Sequence, residues 1–116
     1  MSYKVLSAEL SIAPQIGLTD LPGIAKAGFK SVICNRPDGE SPGQPTFEQI
    51  QDAAKPWGLA CYFLPAESGK VSAENGAAFA QLMANVPKPV VAYCRSGLRS
   101  STMWAIANEQ RVADDA

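Results

Sequence analysis

Three short apolar runs, each shut off by proline, glycine or a charged loop, do most to constrain the fold of this chain. They are residues 29–35 (FKSVICN), 59–64 (LACYFL) and 90–93 (VVAY). Each is short, rich in β-branched or aromatic residues and followed by breakers, so each reads as a strand covered on both faces. Between them lie segments with helical signals. Thr46 and Gln49 form a capping-box pair opening a helix over 47–55, closed by Pro56 and Gly58. Ser72 caps a longer helix over 73–85, in which Ala77, Phe79, Ala80, Leu82 and Met83 recur at helical spacing before Pro87 and Pro89 stop it. Thr19 is placed to cap a short helix, with Asp20 and Pro22 in its first turn and Gly28 just past its end. A last helix is expected over 99–108, followed by a frayed polar tail at 111–116. Residues 3–12 suit one or two further short strands, ended by Pro14 and Gly17.

Strands alternating with helices define an α/β fold. The expected architecture has three layers, a mostly parallel sheet of four or five strands with helices on both faces, because crossovers are right-handed. Loops after the C-termini of parallel strands carry function. The loops at 36–45, at 65–71 and after Tyr93 therefore gather at one edge. The length of 116 residues fits a single catalytic domain spanning 1–116.

Composition removes several chemistries. The chain has no histidine, which excludes a Cys–His dyad, a His-based triad and nearly every common zinc site. No metal or cofactor is expected, and acid–base work falls to carboxylates, cysteine, tyrosine or lysine. A net charge of −1 argues against a general nucleic-acid or membrane partner. Cys34, Cys61 and Cys94 are an odd number at wide spacing, unlike a disulfide framework. No secretory signal is visible at the start, and no stretch approaches ~18 apolar residues, so the cytoplasm is the expected compartment.

The chemistry converges on PVVAYCRSGLRSS, residues 89–101. Cys94 follows a strand and faces a helix N-terminus. Four residues, Arg95, Ser96, Gly97 and Leu98, separate it from Arg99. Backbone N–H groups of such a loop can point inward at one anion, and Gly97 supplies the freedom in φ that a tight ring needs. Arg99 can fold back as a two-pronged donor to an oxyanion, while Arg95 points outward to attract one. Ser100 and Ser101 can donate to the sulfur or cap the helix. A helix terminus contributes up to about 2 kcal/mol, about 1.4 kcal/mol per pKa unit. Each hydrogen bond to a charged acceptor contributes about 1.5–3 kcal/mol, so two or three amides outweigh the dipole. The loop, more than the helix, should make the thiolate.

Other residues keep two readings. Arg36 and Asp38 in NRPDGE either line the site or build a turn in which Arg36 pairs with Asp38 or Glu40. Cys34 ends a strand expected beside the Cys94 strand; it is either a small core residue or a resolving thiol for an oxidised Cys94. Tyr93 packs in the core or donates to the loop. Gln15 follows Pro14 near a strand end, and the sequence leaves open whether it touches the loop.

CRSGLRS preceded by Tyr93 is similar to the active loop of rhodanese-type sulfurtransferases, which use a cysteine, four residues and an arginine. GFKSVICNRPDGE (28–40) together with PVVAYCRSGLRSS resembles the beta-lactamase-hydrolase-like phosphatase family, over about 11–108. That resemblance implies the topology of cysteine-dependent dual-specificity phosphatases. It also implies a partner, since some such domains are fused to or encoded with sulfide-oxidation enzymes. Two departures from phosphatases follow. They keep five residues between cysteine and arginine, with histidine before the cysteine; here there are four, and Tyr93. They also place an aspartic acid on the loop after the preceding strand, whereas PAESGKV offers Glu67, with Asp38 the next nearest acid. Both departures favour sulfur. The leading expectation is therefore a sulfurtransferase that moves a sulfane sulfur from a small anionic donor through a Cys94 persulfide to a thiol or cyanide acceptor. The alternative is a phosphatase using phosphocysteine, and a further alternative is a non-enzymatic sulfide- or anion-sensing module.

Overall fold

The four residues Val90–Tyr93 are all buried, and a strand covered on both faces belongs inside a sheet. The computed structural model describes the backbone of residues 2–115 and the side chains of residues 2–112. Its elements are β1 (Lys4–Val5), β2 (Leu10–Ala13), α1 (Leu21–Lys26), β3 (Ser31–Cys34), α2 (Phe47–Ala54), β4 (Ala60–Phe63), α3 (Ala73–Asn85), β5 (Val90–Tyr93) and α4 (Leu98–Asp115). The five-stranded sheet has the order β1-β2-β5-β3-β4. β1 runs antiparallel to β2, and every other neighbour is parallel. The mostly parallel α/β architecture expected from the sequence is the one observed.

Alternation along β5 divides the core. Val91 and Tyr93 face α1 and α2, where they meet Leu21, Ile24, Val32, Ile50 and Ala54. Val90 and Ala92 face α3 and α4, against Leu10, Ile33, Phe79 and Met103. A fully buried Val, Leu or Ile contributes about 1.5–3 kcal/mol, so these two clusters hold the helices on both faces. The register aligns Ala13, Tyr93, Cys34 and Phe63 across four strands. The loops that follow them therefore leave the sheet at the same edge.

Three local expectations change. Thr19 does not cap α1: a single 3-10 turn, Leu18–Asp20, precedes it, and the Asp20 carboxylate accepts from the Gly17 N–H at 2.7 Å. Neither Ser100 nor Ser101 caps α4, because the helix begins one residue earlier, at Leu98, whose N–H donates to Ser96 Oγ at 3.3 Å. Finally, α4 runs on to Asp115, well past the expected end at 108. Its added turns are polar but rich in helix formers, and Gln110 Nε2 donates to the Ala73 carbonyl of α3 at 3.0 Å. Among the described residues no helix is long and apolar enough to cross a membrane.

The α3–α4 crossing depends on a missing side chain. A Cβ on Gly76 would lie 2.3 Å from Ile106 Cγ2 and 2.8 Å from Ile106 Cβ. Neither atom is the far end of a flexible chain, so the helices would have to separate. Gly76→Ala is expected to destabilise the fold by about 1–3 kcal/mol despite its better helix propensity, as read by urea unfolding.

Candidate active site

Cys94 emerges from the buried end of β5 into the four-residue turn before α4. Gly97 sits there at φ +96°, a left-handed conformation that glycine adopts without strain. This turns the Gly97 N–H back on the sulfur, 3.0 Å from Cys94 Sγ. The N–H groups of Ser100, Arg99 and Ser96 also lie around the sulfur and favour its charged form. Burial pushes the thiol up, since Cys94 is only 1% exposed, yet these four amides outweigh it and the acidity rises: the pKa is lowered from 9.0. Alkylation by iodoacetamide should accordingly show a pH midpoint below 9.0. Mass spectrometry should assign that phase to Cys94, and Cys94→Ser should remove it.

Arg99 is buried and its guanidinium is partly committed. Nη1 donates to Glu40 Oε2 at 2.7 Å and to the Ala66 carbonyl at 2.9 Å, and Nη2 donates to Glu40 Oε1 at 2.9 Å. A guanidinium has five N–H donors. The Nε–H and the second Nη2–H, which share one edge, carry no partner in this set of bonds. Glu40 first, and the nearby Cys94 sulfur after it, favour the charged form of the guanidinium.

Arg36 also meets Glu40. Its Nε donates to Glu40 Oε1 at 2.8 Å, Nη1 to Gln15 Oε1 at 3.0 Å and Nη2 to Ser41 Oγ at 2.9 Å. One carboxylate thus serves two buried guanidiniums. Hydrogen bonds from Arg99 lead the causes that lower Glu40 from 4.5 to about 2, with those from Arg36 adding to them against the cost of burial. Because the folded pKa is depressed, this stabilisation is complete above about pH 4.5 and is lost as pH falls towards about 2. Unfolding titrations across that window should show the native protein losing stability on acidification more steeply than Glu40→Gln.

Backbone and side-chain bonds join the remaining loops to the ring. The Gln15 N–H donates to the Arg95 carbonyl at 3.1 Å. The Asn35 N–H donates to the Tyr93 carbonyl at 2.8 Å, and Asn35 Nδ2 donates to the Leu64 carbonyl at 2.8 Å. The Ala66 N–H donates back to the Asn35 carbonyl at 3.2 Å. All four loops at this edge are therefore tied together. Beside the ring lies a cleft of about 250 Å³ lined by Ser68, Val71, Arg95, Leu98, Arg99 and Thr102.

The structure brings some of the sequence-derived candidates together and separates others. Cys94, Arg99, Gly97, Ser96 and Ser100 form the ring. The Ser100 hydroxyl is buried with no protein partner, beside the sulfur that its own N–H bonds. Arg95 and Leu98 are exposed at the rim. Arg36 sits one carboxylate behind Arg99. Asp38 lies apart, its Oδ1 accepting from the Phe47 N–H at the start of α2 at 2.8 Å. Glu67 is also outside the ring, in a surface ion pair with Lys70 at 2.9 Å. Cys34 pairs in register with Tyr93, and its thiol donates to the Arg36 carbonyl at 3.2 Å. Burial raises its pKa, and raises that of Tyr93 strongly. The Tyr93 hydroxyl lies near Cys34 without a well-formed hydrogen bond. Sequence reasoning gave Glu40 no role beyond a turn and missed Asn35 altogether. The available signal for Glu40 was the second acid of NRPDGE, left over once Asp38 is used to cap α2.

Residues 2–111 match the family model described as beta-lactamase hydrolase-like protein, phosphatase-like domain. The chain belongs to this family. A beta-lactamase hydrolase-like protein of Agrobacterium fabrum is 38% identical over 101 residues, covering 87% of this chain and 23% of that protein. One of Xylella fastidiosa (strain Temecula1) is 31% identical over 107 residues, covering 92% of this chain and 25% of that protein. The chain thus spans about a quarter of the length of the curated relatives it matches. Among solved structures, a candidate phosphatase of Neisseria meningitidis shares 37% identity with a TM-score of 0.82, covering 86% of this chain and 71% of that one. Tk-PTP in its active form shares the fold at 18% identity, with a TM-score of 0.67 over 83% of this chain and 63% of its own. The family and its structural neighbours are phosphatase-like. They favour the phosphatase alternative over the sulfurtransferase expected first, for which they offer no support.

Proposed function

We propose that this chain is a cysteine-dependent phosphatase working through a phosphocysteine at Cys94. The carrying observation is the juxtaposition of a thiol made more acidic by the surrounding amides with the edge of Arg99 that Glu40 and Ala66 leave free. In this reading the Nε/Nη2 edge of Arg99 binds the phosphoryl oxygens, while the ring amides hold the sulfur as a thiolate that attacks phosphorus. Glu40 is a positioning residue. It fixes the guanidinium so that one edge faces the ring, and Arg36 in turn fixes Glu40. Donors aimed where charge develops need no reorganisation during reaction, which is the main source of rate in such a site. Water then attacks the phosphocysteine and regenerates the thiolate. Ser100, whose hydroxyl is free to donate to the departing sulfur, assists that second step.

Sulfur transfer remains the second reading, favoured by the four-residue spacing between Cys94 and Arg99. The shorter loop supplies one amide fewer than a five-residue one and suits a single persulfide sulfur. Paired assays separate the two: phosphate release from an aryl phosphate, and thiocyanate formation from thiosulfate plus cyanide. Phosphate release without thiocyanate supports the proposal, and the reverse overturns it.

A further inference from the structure

Phosphoryl transfer to a thiolate leaves a departing oxygen that must either take a proton or leave as an anion. Four carboxylates lie on the described loops at this edge of the sheet, and each already has a hydrogen-bond or ion-pair partner. Asp20 accepts from the Gly17 N–H, and Asp38 from the Phe47 N–H. Glu40 accepts three guanidinium N–H bonds and stays ionised down to about pH 2. Glu67 faces water, paired with Lys70, with its side chain 69% exposed. There is no histidine in the chain. Cys34 and Tyr93 are buried behind the ring. The cleft beside the ring is lined instead by hydroxyls, apolar groups and the two arginines Arg95 and Arg99. The site is built to hold anions and is poorly placed to deliver a proton.

Resting on the phosphatase reading, we infer that the substrates are phosphates whose leaving group departs as a stable anion, namely acyl phosphates and the phosphates of acidic phenols, and not alkyl phosphates. The step balances without a protein acid. The thiolate forms the S–P bond, the P–O bond to the leaving group breaks, and its electron pair goes with the oxygen: RS⁻ plus R′OPO₃²⁻ gives RSPO₃²⁻ plus R′O⁻. Water then converts RSPO₃²⁻ to RS⁻ and dihydrogen phosphate. A positioned general acid contributes about 10²–10⁴-fold, and it contributes most when the leaving group is basic. Its absence costs little for an anhydride and the full factor for an alcohol.

The test measures kcat/KM, which reports phosphoryl transfer to Cys94 and not the later hydrolysis, across one series. The series runs from acetyl phosphate through aryl phosphates of decreasing phenol acidity to phosphoserine. It is run on the native chain and on Glu67→Gln. The expected result is a fall of at least about 10²-fold from the acidic to the alkyl end, identical in the variant. A flat series overturns the inference and leaves the phosphatase reading standing. So does a Glu67→Gln variant that loses rate selectively on basic leaving groups, because Glu67 would then be the acid. No turnover of any member removes the phosphatase reading and this inference with it.

Discussion

Cys94→Ser is expected to lower aryl-phosphate turnover by at least about 10⁴-fold while leaving the fold intact. A serine hydroxyl stays protonated near neutral pH, and amides that lower a thiol's pKa fall far short of ionising an alcohol. The replacement is nearly isosteric and the position is only 1% exposed, so packing is preserved. It also removes the cost of keeping a charge out of water, so the midpoint of urea unfolding should not fall. Phosphate release and unfolding, measured on the same preparation, separate lost chemistry from lost structure. A serine variant that keeps most of its turnover would remove Cys94 from the mechanism.

The second large effect is expected at Arg99. Arg99→Lys keeps the charge but should lower kcat by about 10²–10³-fold, the loss seen when one preorganised donor to a developing oxyanion is removed. The reason lies in the donor count. Arg99 makes three hydrogen bonds to Glu40 and Ala66 and still has an edge for substrate. A lysine ammonium has three donors around a point and no planar edge. Once it meets the Glu40 carboxylate and the Ala66 carbonyl, little is left for phosphate. The fall should appear mainly in kcat, because charge attraction, aided by exposed Arg95, persists in the bound ground state. A lysine variant with native kcat and a raised KM would show that Arg99 binds substrate without stabilising its transition state.

Much of the fold was legible because local signals agreed with it. Thr46 with Gln49 and Ser72 at the head of α3 form the caps that the sequence announces. The buried runs before Cys94 and within 29–35 are neighbouring strands as expected. The end of α4 was not legible, because polar residues at a chain end read equally as fraying or as an exposed helix. At the site, the loop with its cysteine, glycine and arginine could be read directly, since spacing and residue type carry the information. Glu40 could not. It lies 59 positions before the arginine it binds, and only the meeting of the β3 and β5 loops reveals the pair. The same holds for Asn35, whose role depends on the carbonyls of Leu64 and Tyr93. Reaction class was harder still. Spacing pointed to sulfur, whereas the family is phosphatase-like, so ring size alone is a weak guide to which anion a cysteine loop accepts.

The hydrogen bonds that secure the sulfur's surroundings draw on four separate strand ends, from Gln15 to Arg99. The stretch 94–100 carries every amide that faces the sulfur, but the other strand ends hold it in the shape that aims them. During synthesis, or in any partly opened copy, Cys94 is one ordinary thiol among three, no more prone than the others to attack peroxides or electrophiles. Reactivity arrives only with closure of the whole edge, so the polypeptide is chemically quiet until it is finished.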